Sequence, residues 1–157
     1  MTIFLRYIWY FLFGDNMRTF YIFKINNMFQ TYYNDKSNVL YKIFKGIYNS
    51  KEKDILINYK LFEQLILPIN RKKYNNYILL KHGNDIYYKR NKDVHVISNE
   101  YEISRLKVNN TFLKIKTNRN INSFIKDIIS SNEKVFVIDF KNKDYFWINE
   151  INHETLV

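Results

Sequence analysis

The stretch Val135-Phe136-Val137-Ile138-Asp139-Phe140-Lys141-Asn142-Lys143-Asp144-Tyr145-Phe146-Trp147-Ile148-Asn149 decides how this chain folds. Val135 to Ile138 are all β-branched or aromatic, and an unbroken apolar run of that length reads as a strand buried on both faces. Lys141 to Asp144 is a polar turn, and Tyr145 to Ile148 returns as an aromatic strand. The segment is a β-hairpin that closes a sheet. Asp139 is a carboxylate set in an apolar strand. With no second carboxylate at matching spacing for acid or base work, it reads as the acceptor that holds the turn.

Upstream, the hydrophobic spacing alternates between helix and strand periods. Thr19 to Ile25 is a strand ended by Asn26-Asn27. A short helical turn follows, carrying Met28, Phe29, Tyr32 and Tyr33 at i, i+1, i+4 and i+5. Val39, Leu40, Ile43, Phe44 and Ile47 repeat that spacing, which predicts an amphipathic helix over Lys36 to Tyr48 with Ser37 as its candidate cap. Ile55, Tyr59, Phe62 and Ile66 mark another helix, stopped by Pro68. The period then changes. Ile86 to Lys89, Val94 to Ile97, Tyr101 to Val108 and Thr111 to Lys116 are short β-like runs separated by polar clusters, an antiparallel meander in which Asn109-Asn110 suits a tight hairpin with positive φ. Tyr77 to Leu80 fits a strand or a helix equally well. Ile121, Phe124, Ile125, Ile128 and Ile129 describe a last helix, capped by Asn120 or Asn122. The expected fold is α+β, a single domain whose mostly antiparallel sheet has helices packed against it.

Composition agrees. One compact domain of 157 residues buries roughly 70% of its unfolded surface. With 46% hydrophobic residues, 14 Tyr and 13 Phe, a large core is available and general disorder is excluded. The chain has no Cys, which removes disulfides, thiolate metal sites and a Cys nucleophile, and fits a reducing cytoplasm. The formal charge of +10 accompanies an excess of Lys, Asn, Ile, Tyr and Phe. AT-rich codons produce that excess without selection for a basic surface, so charge alone does not assign a nucleic-acid partner.

No catalytic constellation assembles, and neither a cofactor nor a metal is expected. His82, His95 and His153 are not at ligand spacing and read as structural or solvated. Lys81-His82-Gly83-Asn84-Asp85 lacks the glycine density of a phosphate cradle. Asn109-Asn110-Thr111 fits a glycosylation sequon, which carries no weight without secretion. Ile3 to Phe13 is apolar but interrupted by Arg6. It is shorter than the roughly 20 residues of a spanning helix and has no signal-peptide cleavage site. Residues 1–16 are therefore read as an N-terminal extension that an overcalled start codon would produce, with a short interfacial anchor as the alternative, ahead of a domain over 17–157. Met17 opens its first strand.

Two surfaces carry binding hypotheses. Arg71 to Tyr77 and Tyr87 to Lys92 interleave bases with aromatics, as single-strand binders do, and a basic nucleic-acid-binding module would depend on Arg71, Lys72 and Lys73. Met28, Phe29, Tyr32 and Tyr33 offer more apolar area than one helical turn can bury on one face, and an exposed aromatic patch is a usual interface centre.

The hairpin also resembles a signature of the form F-x-x-x-D-F-x-x-K-x-Y-x-W-[LI]-N-P, from its Asp onward. It is met here by Asp139, Phe140, Lys143, Tyr145, Trp147, Ile148 and Asn149, with Glu150 in place of Pro and Phe146 where the family has Gly. That signature belongs to the SirA family of sporulation inhibitors of replication. A second match lies at Tyr21-Ile22-Phe23-Lys24 and Tyr32-Tyr33-Asn34, where Asn34 replaces a Gly and would suit a left-handed helix end. The resemblance implies a cytoplasmic, non-catalytic, monomeric protein. Such a protein binds the N-terminal domain of the replication initiator DnaA through the helix after the first strand, with Met28 and Tyr32 as the first contacts and Phe29 and Tyr33 beside them.

Overall fold

The computed structural model describes residues 17–148. The extension over 1–16, together with Asn149, Glu150 and His153, lies outside the described residues. The element order is β1 (Arg18–Lys24), α1 (Asn27–Tyr33), α2 (Ser37–Tyr48), α3 (Ile55–Leu65) and α4 (Arg71–His82), followed by β2 (Tyr88–Asn91), β3 (Val94–Ser98), β4 (Ile103–Val108) and β5 (Leu113–Thr117). The chain then forms α5 (Ser123–Ser130), β6 (Val135–Asp139) and β7 (Asp144–Trp147). The strands form one open seven-stranded sheet in the order β2-β3-β4-β5-β1-β6-β7, with every pairing antiparallel. The expected α+β architecture is the observed one, and the C-terminal hairpin ends the sheet at one edge.

Alternation along β1 shows why helices lie on both sides. Phe20 and Ile22 join Leu106, Val108, Leu113, Ile115, Val135 and Val137 beneath Tyr74 and Ile78 of α4 and Phe124, Ile125 and Ile128 of α5. Phe23 faces the other way and meets Phe136, Ile138 and Trp147 under Leu40, Tyr41 and Phe44 of α2 and Leu65 of α3. Side chains alternate between faces with a period of two, so adjacent residues of one strand feed two separate cores. The run Val135 to Ile138 is buried at every position, as its unbroken apolar character predicts.

Arg18 fastens the ends of this arrangement. Its Nε donates to Asp139 at 2.8 Å, one terminal nitrogen to Asn120 Oδ1 at 2.8 Å and the other to Asp144 at 2.9 Å. The guanidinium also lies 4.6 Å from the Phe20 ring centroid. Asp139 accepts from the Asn142 backbone N–H and side-chain amide at 3.1 and 2.6 Å, so it holds the hairpin turn as expected. Burial acts to raise its pKa, but the hydrogen bonds from Asn142 and Arg18 outweigh burial and hold it below the ordinary carboxylate range.

A polar chain ties α4 to the meander. His95 is fully buried; its Nδ1 accepts from the Tyr88 hydroxyl at 2.7 Å and its Nε2–H donates to Asn75 Oδ1 at 2.8 Å. The Asn75 amide in turn donates to Asp93 at 2.8 Å. Both ring nitrogens are thus used by a neutral imidazole, and burial, helped by the Arg90 charge, pushes the pKa down to about 4.

Several local expectations change. Tyr77 to Leu80 belongs to helix α4, begun by Asn70, whose side chain accepts from Lys73 N–H at 3.1 Å. The first meander strand starts at Tyr88, two residues later than the apolar run at Ile86 predicts. Ser37 does not cap α2; Lys36 stands at the cap without a side-chain bond, its carbonyl accepting from Val39 and Leu40. Asn109 and Asn110 do not take positive φ. Val108 pairs with Leu113, so the connection is long enough to need no left-handed residue. Positive φ falls instead on Lys92, Asn132 and Lys143. Asn122 is the cap of α5, accepting from Ile125 N–H at 3.0 Å.

Stability should fall as pH drops from about 6.5 toward 4, because the unfolded His95 takes a proton that the folded one refuses. The loss should reach on the order of 2–3 kcal/mol in urea titrations, and His95→Gln should flatten this limb. Asp139, whose pKa is depressed, contributes at all pH values above its unfolded value of 3.8 and loses its contribution only below it. Asp139→Ala should therefore cost about 2–4 kcal/mol at neutral pH, since it removes the buried partner of Arg18 Nε and leaves the turn amide unpaired.

Candidate docking site

Helix α1 follows β1 directly. Asn26 starts it, with Oδ1 accepting from Met28 N–H at 3.2 Å and its backbone carbonyl from Gln30 N–H at 2.8 Å. The spacing of four residues then sorts the aromatic cluster into two pairs. Phe29 and Tyr33, with ring centroids 6.3 Å apart, are half-buried against the core that contains Phe136 and Trp147. Met28 and Tyr32, about 100° round the helix from them, are 70% and 58% exposed. The structure thus brings all four expected contact residues onto one helix but turns only two of them to solvent.

The exposed pair is held in place from behind. Tyr32 meets Tyr33 edge-on at 4.8 Å, and Lys36 Nζ lies 4.0 Å from the Tyr32 ring centroid. The Gln30 side-chain amide donates to the Lys134 carbonyl at 3.2 Å, and Lys134 Nζ to Asn34 Oδ1 at 2.8 Å, pinning α1 to the entry of β6. Asn34 is right-handed, with φ −55° and ψ −40°, so the expected left-handed helix end is not found. The chain continues through a turn in which Lys36 N–H reaches the Tyr33 carbonyl, and a left-handed residue is not needed there.

A second apolar surface lies on α3, the helix that Ile55, Tyr59, Phe62 and Ile66 mark in the sequence. Of its eleven residues only Leu65 is buried, while Ile55, Leu56, Ile57, Tyr59 and Leu61 are exposed. The signal was present in Ile55-Leu-Ile-Asn-Tyr-Lys-Leu-Phe-Glu-Gln-Leu65, whose apolar residues run round the whole helix rather than along one stripe. The C-terminal end of α3 abuts the start of α1. Asn26 N–H donates to the Leu65 carbonyl at 2.8 Å, and Ile25 bridges to Ile66.

The two base-and-aromatic stretches do not make one surface. Arg71, Lys72 and Lys73 are exposed on the first turn of α4, with Arg71 paired to Asp93 at 3.4 Å, but Tyr74 is buried and Tyr77 is half-buried with its hydroxyl donating to the Asp127 carbonyl at 2.8 Å. Tyr88 also turns inward, onto His95. Tyr74, Tyr77 and Tyr88 serve the core and Tyr87 alone of these rings is exposed, so a row of stacking platforms does not alternate with the cations there. His82 pairs with Asp127 at 2.5 Å. Among the described residues no three His, Cys, Asp or Glu side chains converge as a metal site, and no helix is long and apolar enough to cross a membrane.

An α+β domain with an outward-facing methionine and tyrosine on a braced helix is thus the class that fold and surface define. The family model of the sporulation inhibitor of replication protein SirA matches residues 18–152, most of the chain, and the chain belongs to that family. The family is one of regulatory inhibitors, so a role in restraining replication during sporulation follows. No curated protein matches the chain.

Truncations on α1 should separate along the same line. Phe29→Ala and Tyr33→Ala should each cost about 2–4 kcal/mol in urea unfolding, whereas Met28→Ala and Tyr32→Ala should stay within about 0.5 kcal/mol of the parent protein.

Proposed function

We propose that this protein inhibits replication initiation by binding the N-terminal domain of DnaA in the cytoplasm, through the outward face of α1, as a monomer and without turnover. The observation that carries this reading is the splitting of one aromatic cluster into a buried half and an exposed half. Phe29 and Tyr33 fix the helix, and Met28 and Tyr32 project from it. Large apolar side chains cost free energy in water, and anchors already held in one place lose little conformational freedom on binding. Tyr32 supplies apolar area and a hydroxyl with only two side-chain torsions to immobilise, and Met28 adapts to an irregular groove. The exposed apolar residues of α3, a helix whose C-terminal end abuts the start of α1, offer contact area beyond what one helical turn gives.

Tyr32→Ala should weaken binding to the isolated N-terminal domain of DnaA at least about tenfold, some 1.4 kcal/mol, in calorimetry. Circular dichroism should show the fold unchanged. Leu56→Asp should weaken the same complex, and unchanged affinity in that variant would confine the interface to α1.

A further inference from the structure

Among the described residues, the α2 and α3 layer covers its face of the sheet only over β1, β6 and β7, and the same face continues over β5, β4, β3 and β2 without a described helix on it. The strand registers place two rows of side chains there. One runs Lys89, Val96, Arg105, Lys116, Thr19, and the other Asn91, Val94, Lys107, Lys114, Tyr21. Neither row contains a carboxylate. Arg105 stands directly opposite Lys116 and Lys107 directly opposite Lys114, and these four line one hollow in the surface. Like charges facing each other across a strand pair oppose folding, so Lys107 opposite Lys114, with Arg105 beside them, marks a place where something other than stability is served. Among the described residues, neither Arg105 nor Lys107 has a carboxylate within ion-pair distance.

Rings wall the inner end of these rows. Lys114 Nζ lies 5.6 Å from the Tyr21 centroid, and Tyr21 packs against Phe112, Phe140 and Tyr48 at 5.7, 5.5 and 5.9 Å. Tyr48, at the end of α2, stacks on Phe140 at 4.2 Å yet remains 56% exposed. Cations two residues apart along a strand repeat at roughly 6.7 Å, close to the step between successive phosphates of an extended strand.

We propose that this uncovered half-face, centred on Arg105, Lys107, Lys114 and Lys116, binds single-stranded nucleic acid, with phosphates on the cation rows and a base against the Tyr48 edge. Rings beside the cations favour an unpaired strand, because duplex bases are already stacked and an acidic peptide has none to offer. This surface is separate from α1, so the two readings stand or fall independently.

The test is fluorescence anisotropy of the full chain with a labelled oligothymidine strand, its duplex with oligoadenosine, and polyglutamate, at several salt concentrations. Affinity for the single strand should exceed that for the other two and fall steeply with salt. Arg105→Glu with Lys107→Glu should lower it at least about tenfold, Tyr48→Ala several-fold, and Tyr32→Ala not at all. The charge-reversed variant should still bind the DnaA domain in calorimetry. Equal affinity for duplex or polyglutamate, or an unaffected charge-reversed variant, would overturn the proposal while leaving the α1 interface standing.

Discussion

Chain order limits how much of one sheet face can be covered, and both candidate surfaces follow from that limit. Helices α1, α2 and α3 all lie between β1 and α4, and their apolar residues meet Phe23, Ile25, Phe136, Ile138 and Trp147. Over β1 and β6 the sheet is therefore a buried middle layer. Beyond β5 the described helices lie on one side only, and burial returns to every second residue, as in Ile103 to Val108.

The opposite face is more evenly covered. There α4 and α5 lie over β1, β3, β4, β5 and β6, and their contacts include buried polar groups as well as aliphatic ones. Glu102 accepts from the backbone N–H and hydroxyl of Ser123, placing a carboxylate at the N-terminus of α5 where the helix dipole favours it. The Tyr88, His95, Asn75 and Asp93 chain does the corresponding work for α4. Buried polar chains whose members are all satisfied specify one packing, because any shift leaves a group unpaired in a low-dielectric interior.

For function, the consequence is a division of labour within single elements. In α1 the residues at 29 and 33 anchor and those at 28 and 32 present, while in β4 and β5 the residues at even and odd positions do the same. Mutational effects on stability and on binding therefore segregate between neighbouring residues.

Read alone, the sequence determined the hairpin at Val135 to Trp147, the role of Asp139 in its turn, the first strand, the last helix and the α+β class, because each depends on local periodicity or turn chemistry. It also singled out the aromatic cluster of α1. Tertiary structure decided which of Met28, Phe29, Tyr32 and Tyr33 face water, since that depends on where β6 and α2 lie relative to the helix. Burial of Tyr74, the inward turn of Tyr88 and the exposure of most of α3 were decided the same way. The rows of Lys89, Arg105, Lys107, Lys114 and Lys116 were invisible in the linear chain. Residues far apart in sequence become neighbours only through strand register, and no single segment carries that pattern.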